Sequence, residues 1–167
     1  MPAARESLAG TEPKRIIIYT DGACLGNPGS GGYAAILLYG EHRKEISGGY
    51  RLTTNNRMEI MAAIEALRAL KTCCSVTLHT DSQYLVDSMS KGWARLWRSR
   101  GWRKADGEQA MNPDLWQELL TLCERHDVVF VWVPGHAGHP ENERCDQLAS
   151  ETALRRDLPP DPGYSRH

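Results

Sequence analysis

Four carboxylates stand at widely separated points of the chain: Asp21 in YTDG, Glu59 in NNRMEI, Asp81 in HTDS and Asp146 in NERCDQLA. Acids gathered in one cleft raise one another's pKa unless a cation neutralises them. A cluster of this kind therefore implies divalent metal held against a phosphate, and an oxygen-only donor set selects Mg2+ or Mn2+ over Zn2+. Each acid also has an ordinary reading. Asp81 ahead of Ser82 suits a helix cap, Glu59 near a helix start complements the helix dipole, and Asp146 can pair with Arg144 on the surface. Only joint placement separates the two readings.

The elements that must place these acids are legible in the pattern. A β-branched run, Arg15 to Asp21, is followed by apolar Tyr33 to Tyr39 and by Arg43 to Arg51, giving a three-strand meander. Thr53-Thr54-Asn55 offers caps to a helix with Met58, Met61, Ile64 and Leu67 at spacing three, running to about Leu70. A strand from Ser75, a helix in QYLVDSM, a Trp-rich basic segment, a helix in NPDLWQELLTLCERH, the strand VVFVWV and a helix from about Glu141 complete the order. The succession βββαβα(α)αβα predicts an α/β fold whose strands ending at Thr20, Thr80 and Val133 run parallel through right-handed crossovers. Asp21 and Asp81 then lie at the carboxyl ends of parallel strands, where open α/β sheets place ligands. Alanines at helical spacing, Ala62, Ala63 and Ala66 beside Glu59 and Ala149 and Ala153 beyond Asp146, let those helices lie close and carry their acids inward.

Composition sets the outer limits. At 167 residues the chain is one ordinary domain, and a net charge of -1 gives no global basic signature, so any nucleic-acid contact must rest on a local patch. Five scattered cysteines, Cys24, Cys73, Cys74, Cys123 and Cys145, lack zinc-site spacing and fit a reduced cytoplasm. No stretch approaches the roughly 20 apolar residues of a membrane span, and the first residues lack a signal-peptide core. Residues 1–13 and the Pro-rich residues 156–167 read as disordered tails around a catalytic domain over 14–155. Trp116 and Trp132, in regular helix and strand patterns, read as core.

The strings TDGACLGNPGSGGYAAIL, TTNNRMEIMAAIEAL, TDSQYLVDS, KGWARLWRSRGWRKADG, NPDLWQEL and PGHAGHPENERCDQLA, in this order, resemble the type 1 ribonucleases H, the bacterial ribonucleases HI, from about Arg15 to about Ala153. That resemblance implies a five-stranded mixed sheet flanked by helices. It implies an endonuclease cutting the RNA strand of an RNA/DNA hybrid, with Asp21, Glu59, Asp81 and Asp146 holding two Mg2+ ions, or Mn2+ in their place. Products would be 5′-phosphate and 3′-hydroxyl ends. His136 in PGHAGH matches the family's mobile histidine, which serves proton movement or product departure; without the resemblance it is an ordinary loop histidine. The enzyme would remove RNA primers and R-loops as a monomer with no obligate protein partner and no membrane.

Hybrid selectivity requires contacts to 2′-hydroxyls in a shallow minor groove, with the DNA strand held by shape. The Gly-rich loop from Cys24 through Asn27 to Gly32 brings backbone groups near the sugars, and Asn27, Asn55, Asn56 and Gln83 match family positions that touch the hybrid. Trp93, Trp97, Arg98, Arg100, Arg103 and Lys104 interleave phosphate-binding charge with flat apolar surface, as in the family's basic protrusion; an amphipathic helix with core tryptophans is the plain alternative. Thr54 matches a phosphate-pocket threonine, but Leu52, Leu96 and Pro134 depart from the polar or basic residues usual there. Such departures weaken affinity before catalysis, because all four acids are spared.

Overall fold

The computed structural model describes residues 12–135 and 138–164. Three antiparallel strands come first: β1 (Lys14–Leu25), β2 (Gly29–Tyr39) and β3 (His42–Thr53). They are followed by α1 (Asn55–Arg68), β4 (Cys74–Thr80), α2 (Gln83–Ser90), α3 (Trp93–Ser99), α4 (Pro113–Arg125), β5 (Asp127–Trp132) and α5 (Pro140–Ala153). The sheet order is β3-β2-β1-β4-β5, with β1, β4 and β5 mutually parallel. This is the mixed five-stranded sheet expected from the pattern.

Two helical layers close it. α1, α2 and α4 bury Ile18, Leu78, Met58, Ile64 and Trp116 on one face, and α5 covers the other over Ala34, Ile36 and Ala149. Thr54 caps α1, its hydroxyl accepting from the Arg57 N–H at 3.2 Å, and Ser82 caps α2 by accepting from Leu85 N at 3.1 Å.

Four details differ from the sequence reading. β1 does not stop at Thr20: its pairing with β4 ends at Tyr19–His79, but pairing with β2 carries it to Leu25. Much of the Gly-rich stretch is strand rather than loop, since β2 begins at Gly29 and only the turn around Gly26 to Pro28 lies outside the strands. Trp132 is not core. It ends the edge strand with 45% of its surface exposed, while Trp116 is fully buried as expected. Finally, residues 158–164 are not a free tail: Leu158 and Asp161 are buried, and Arg51 N donates to Pro159 O at 2.9 Å.

Candidate active site

Asp21 sits where β1 leaves β4 behind, and Asp81 immediately follows the end of β4, so both occupy the crevice at the carboxyl ends of the parallel strands. Glu59 comes from the second turn of α1, held tight against β1. A Cβ at Gly22 would lie 2.6 Å from Glu59 N and 2.7 Å from Met58 C, so only glycine permits that approach. On the opposite face, a Cβ at Gly32 would lie 2.1 Å from Ala149 O, and this closeness brings α5, with Asp146, onto β2. The alanines foreseen at these contacts, Ala62, Ala63, Ala66, Ala149 and Ala153, are all buried.

One carboxylate oxygen each from Asp21, Glu59 and Asp81 falls within 4.8 Å of the others. Asp21 is 4% exposed and Glu59 5%. Burial, then the charge of Asp81, pushes the Asp21 carboxyl from 3.8 up to about 8, with Asp146 adding charge and a carboxyl–carboxyl hydrogen bond against the restraining Gly22 N–H. Burial likewise holds Glu59 well above its ordinary value, reinforced by Asp21 and Asp81. Glu59 Oε1 is buried with no hydrogen-bond partner among the described residues. Desolvated, mutually repelling oxygens with an orphaned acceptor among them fit a hard divalent cation, which supplies the missing positive charge.

The ordinary readings of the acids give way locally. Ser82, rather than Asp81, caps α2. Arg144 turns from Asp146 to Glu45 on β3, 2.9 Å from Nε to Oε2, and Arg43 spans from β3 to Glu141 at 2.8 Å. These pairs tie the start of α5 to the sheet edge. Glu143 is exposed in the first turn of α5, and His139 occupies the N-cap position without a side-chain cap bond. His136 lies outside the described residues.

The prospective substrate residues fall into two groups. Near the acids, Asn27 Oδ1 accepts from Asn55 N at 3.1 Å and the Cys24 thiol reaches the Thr53 carbonyl at 3.5 Å, joining the β1–β2 turn to the β3–α1 junction that also holds Thr54 and Asn56. Gln83 opens α2 and donates to Asp87 at 3.0 Å. Further away, α3 and the turn after it carry the basic segment. Trp93 is exposed, whereas Trp97 is half-buried, edge-on to Trp116 at 6.1 Å, so it is partly core. Arg98 pairs with Glu124 and Arg103 donates to Gly107 O, each at 3.2 Å; Arg100 and Lys104 are exposed. Leu52 is half-buried, while Leu96 and Pro134 are exposed.

Two structural contributors to this region escape the motif reading. Arg57, buried in the first turn of α1, and Asp161 in the C-terminal segment hold each other at 2.8 Å. A buried arginine is a signal in itself, because it demands an acid partner, but nothing local names Asp161.

Comparison with known proteins adds an independent line. The RNase H family model matches residues 13–154. The chain is 68% identical to the ribonuclease H of Syntrophus aciditrophicus over 151 residues, covering 90% of this chain and 87% of that protein. It is 59% identical to the ribonuclease HI of Synechocystis sp. over 138 residues, covering 82% and 86%. Among solved structures, LC9-RNase H1, a type 1 RNase H with the type 2 active-site motif, superposes with a TM-score of 0.77 at 35% identity, covering 87% of this chain and 74% of that one. LC11-RNase H1 in complex with RNA/DNA hybrid superposes with a TM-score of 0.63 at 26% identity, covering 83% and 96%.

Proposed function

The chain belongs to the ribonuclease H family of endoribonucleases, as a type 1 member of the bacterial kind, and from that premise we propose that it hydrolyses the RNA strand of RNA/DNA hybrids. The observation that carries the reading is the crevice where Asp21, Glu59 and Asp81 bring carboxylate oxygens within 4.8 Å of one another. Asp146, approaching from α5, completes a four-acid set.

In this reading Asp21, Glu59, Asp81 and Asp146 hold two Mg2+ ions, with Mn2+ as a substitute. Such ions, when bound, activate a water for in-line attack and neutralise charge on the leaving 3′-oxygen, giving 5′-phosphate and 3′-hydroxyl ends. The protein contributes position. β1 and β4 fix two acids at the sheet, Gly22 sets the depth of Glu59, and the Arg43–Glu141 and Arg144–Glu45 pairs hold the helix carrying Asp146. Burial of Asp21 and Glu59 strengthens the attraction between these carboxylates and the cations they would hold. His136 is assigned proton movement at the leaving group on its match to the family pattern alone.

Hybrid selectivity is assigned to Cys24, Asn27, Thr54, Asn55, Asn56 and Gln83 around the crevice. Trp93, Trp97, Arg98, Arg100, Arg103 and Lys104 receive the DNA strand. LC11-RNase H1 was solved with an RNA/DNA hybrid, which supports this choice of substrate. We assign the catalytic unit to the domain beginning near residue 14, acting as a monomer in the cytoplasm on RNA primers and R-loops. Among the described residues, no helix is long and apolar enough to cross a membrane.

The test is cleavage of a labelled hybrid beside matched single-stranded RNA, double-stranded RNA and double-stranded DNA, in Mg2+ and in EDTA. Cutting confined to the hybrid's RNA strand and to Mg2+ is expected. Binding without cutting under every metal condition would reassign the protein as a hybrid-binding module.

A further inference from the structure

The C-terminal segment makes contacts that a loose tail would not. Asp161 is 8% exposed, and its carboxylate accepts from three directions. Thr53 Oγ1 donates to Oδ2 at 2.7 Å, Arg57 Nε donates to the same oxygen at 2.8 Å, and Arg57 Nη2 reaches Oδ1 at 3.1 Å. Asp161 is itself braced by Gly163 N at 3.2 Å, and the preceding chain is pinned through Arg51 N to Pro159 O.

The residues clamped are the informative part. Thr53 is the last residue of β3, and Arg57 is the third residue of α1, with the helix cap Thr54 between them. One buried carboxylate therefore holds the strand side and the helix side of a single junction. From that junction, the Thr53 carbonyl takes the Cys24 thiol, and Asn55 N donates to Asn27 Oδ1. The other end of the Arg57 guanidinium reaches Asn112 Oδ1 at 3.2 Å and Asp114 at 2.7 Å. Asn112 and Asp114 open α4, the helix after the basic segment, so the same side chain ties the β3–α1 junction to the start of α4.

We propose that residues 158–164 form a strap in which Asp161, by clamping Thr53 and Arg57, is a positioning residue for the hybrid contacts made at the β3–α1 junction and the neighbouring turn. This rests on the hybrid-binding reading above. The bonds that hold the strap run to Arg51, Thr53 and Arg57, and it acts on how firmly the hybrid is held rather than on the cleavage step. A carboxylate shared between two donors fixes both to one point. Its removal leaves Arg57 with Asn112 and the solvent-facing Asp114, and frees the Thr53 hydroxyl to turn away.

Full-length Asp161→Asn and Thr53→Val decide the matter, the second removing a single hydroxyl from an otherwise equivalent shape. Hybrid Kd is measured in EDTA by fluorescence anisotropy, KM and kcat in Mg2+, and Tm alongside, all well below the unfolding transition. Each variant is expected to raise Kd and KM about fivefold, the scale of one lost hydrogen bond, with kcat within about twofold. Combined with Asn55→Ala, Asp161→Asn should cost less than the product of the two single losses, because both act on one contact surface. A lowered Tm with unchanged Kd and KM would make the strap a stabiliser and nothing more. A fall in kcat at unchanged KM, or strictly multiplicative losses with Asn55→Ala, would also overturn the proposal. Absence of hybrid binding by the unsubstituted protein would instead remove the hybrid reading itself.

Discussion

Gly22 of β1 and Glu59 of α1 are in backbone contact so close that a Cβ on the glycine would stand 2.6 Å from the glutamate nitrogen. The depth at which Glu59 enters the acid crevice is thus set by the absence of a side chain one residue after Asp21. Gly22→Ala must push α1 outward or twist β1. The expected cost is about 1–3 kcal/mol of stability from overpacking. Cleavage should fall about a hundredfold, the scale of a displacement near 1 Å at a catalytic group. Stopped-time assays at saturating hybrid, with Tm recorded in parallel, check both numbers.

Asp21 is buried among like charges, so its two roles pull in opposite directions. Asp21→Asn removes a desolvated carboxyl that repels Asp81 and Asp146. Hybrid cleavage should be abolished while hybrid affinity in EDTA stays within about threefold, since phosphate and sugar contacts lie elsewhere. In EDTA at pH 8 the variant should also unfold at a higher temperature than the unsubstituted protein. A loss of hybrid affinity as large as the loss of cleavage, with the fold intact, would contradict this division of labour.

The same burial sets a pH dependence. Asp21 moves from 3.8 in an exposed chain to about 8 in the folded protein. A raised folded-state pKa favours folding fully below the unfolded value and ceases to do so as pH climbs through the folded value. Tm in EDTA is therefore expected to fall between about pH 4 and about pH 8 on account of this group. Metal needs the deprotonated acids, so the gain in Tm on adding Mg2+ should be larger at pH 8 than at pH 6, with protons released on binding. A Tm in EDTA that is flat across that window would mean the acids are already ionised without metal.

The element order was legible because each segment carries its own period: β-branched runs at β1 and β5, apolar spacing of three in α1, and Ser and Thr caps ahead of helices. The four acids were legible as a set once the parallel strands were placed. What escaped depended on partners distant in sequence. Gly29 to Gly32 read as loop because glycine disfavours strands, yet Gly32 is strand because α5 presses its Ala149 carbonyl to that spot. Residues 158–164 read as disordered on proline content, yet Asp161, paired 104 residues away with Arg57, and Pro159, which accepts from Arg51 N, pin them. Trp132 shares its parity with Val128 and Phe130, which pack against the core, but it ends an edge strand and is 45% exposed.

The basic segment makes a prediction about salt. Arg100 and Lys104 are exposed, and no salt bridge among the described residues engages either, whereas Arg98 is shared with Glu124. Free cations are the better phosphate ligands, because they surrender no existing pair. Arg100→Ala and Lys104→Ala should each reduce the slope of log K against log salt by about 1 if each holds one phosphate, leaving kcat at saturating hybrid within about twofold. Arg98→Ala should change the slope less. Titrations of hybrid binding between low and physiological salt distinguish them, and slopes unchanged from that of the unsubstituted protein in all three variants would place the DNA strand elsewhere.

Trp132 Nε1–H donates to the main-chain carbonyl of Asp81 at 3.2 Å, so an exposed indole anchors the backbone of one of the four acids. This explains an otherwise wasteful feature, an aromatic ring 45% exposed at the end of an edge strand. Trp132→Phe keeps an aromatic ring but loses the donor. Its expected cost is about 0.5–1.5 kcal/mol of stability, the net value of one hydrogen bond. The Asp81 carbonyl then loses its bond to the β5 indole, and the carboxylate of the same residue gains freedom. Catalysis should respond more than binding: kcat falling about tenfold, with Kd for hybrid in EDTA unchanged, matches a positioning role through Asp81. Raising the Mg2+ concentration should recover part of the loss, since a loosened acid binds the ion more weakly but with the same chemistry. Equal kcat in the two proteins at every Mg2+ concentration would show that the indole contact is incidental to the site.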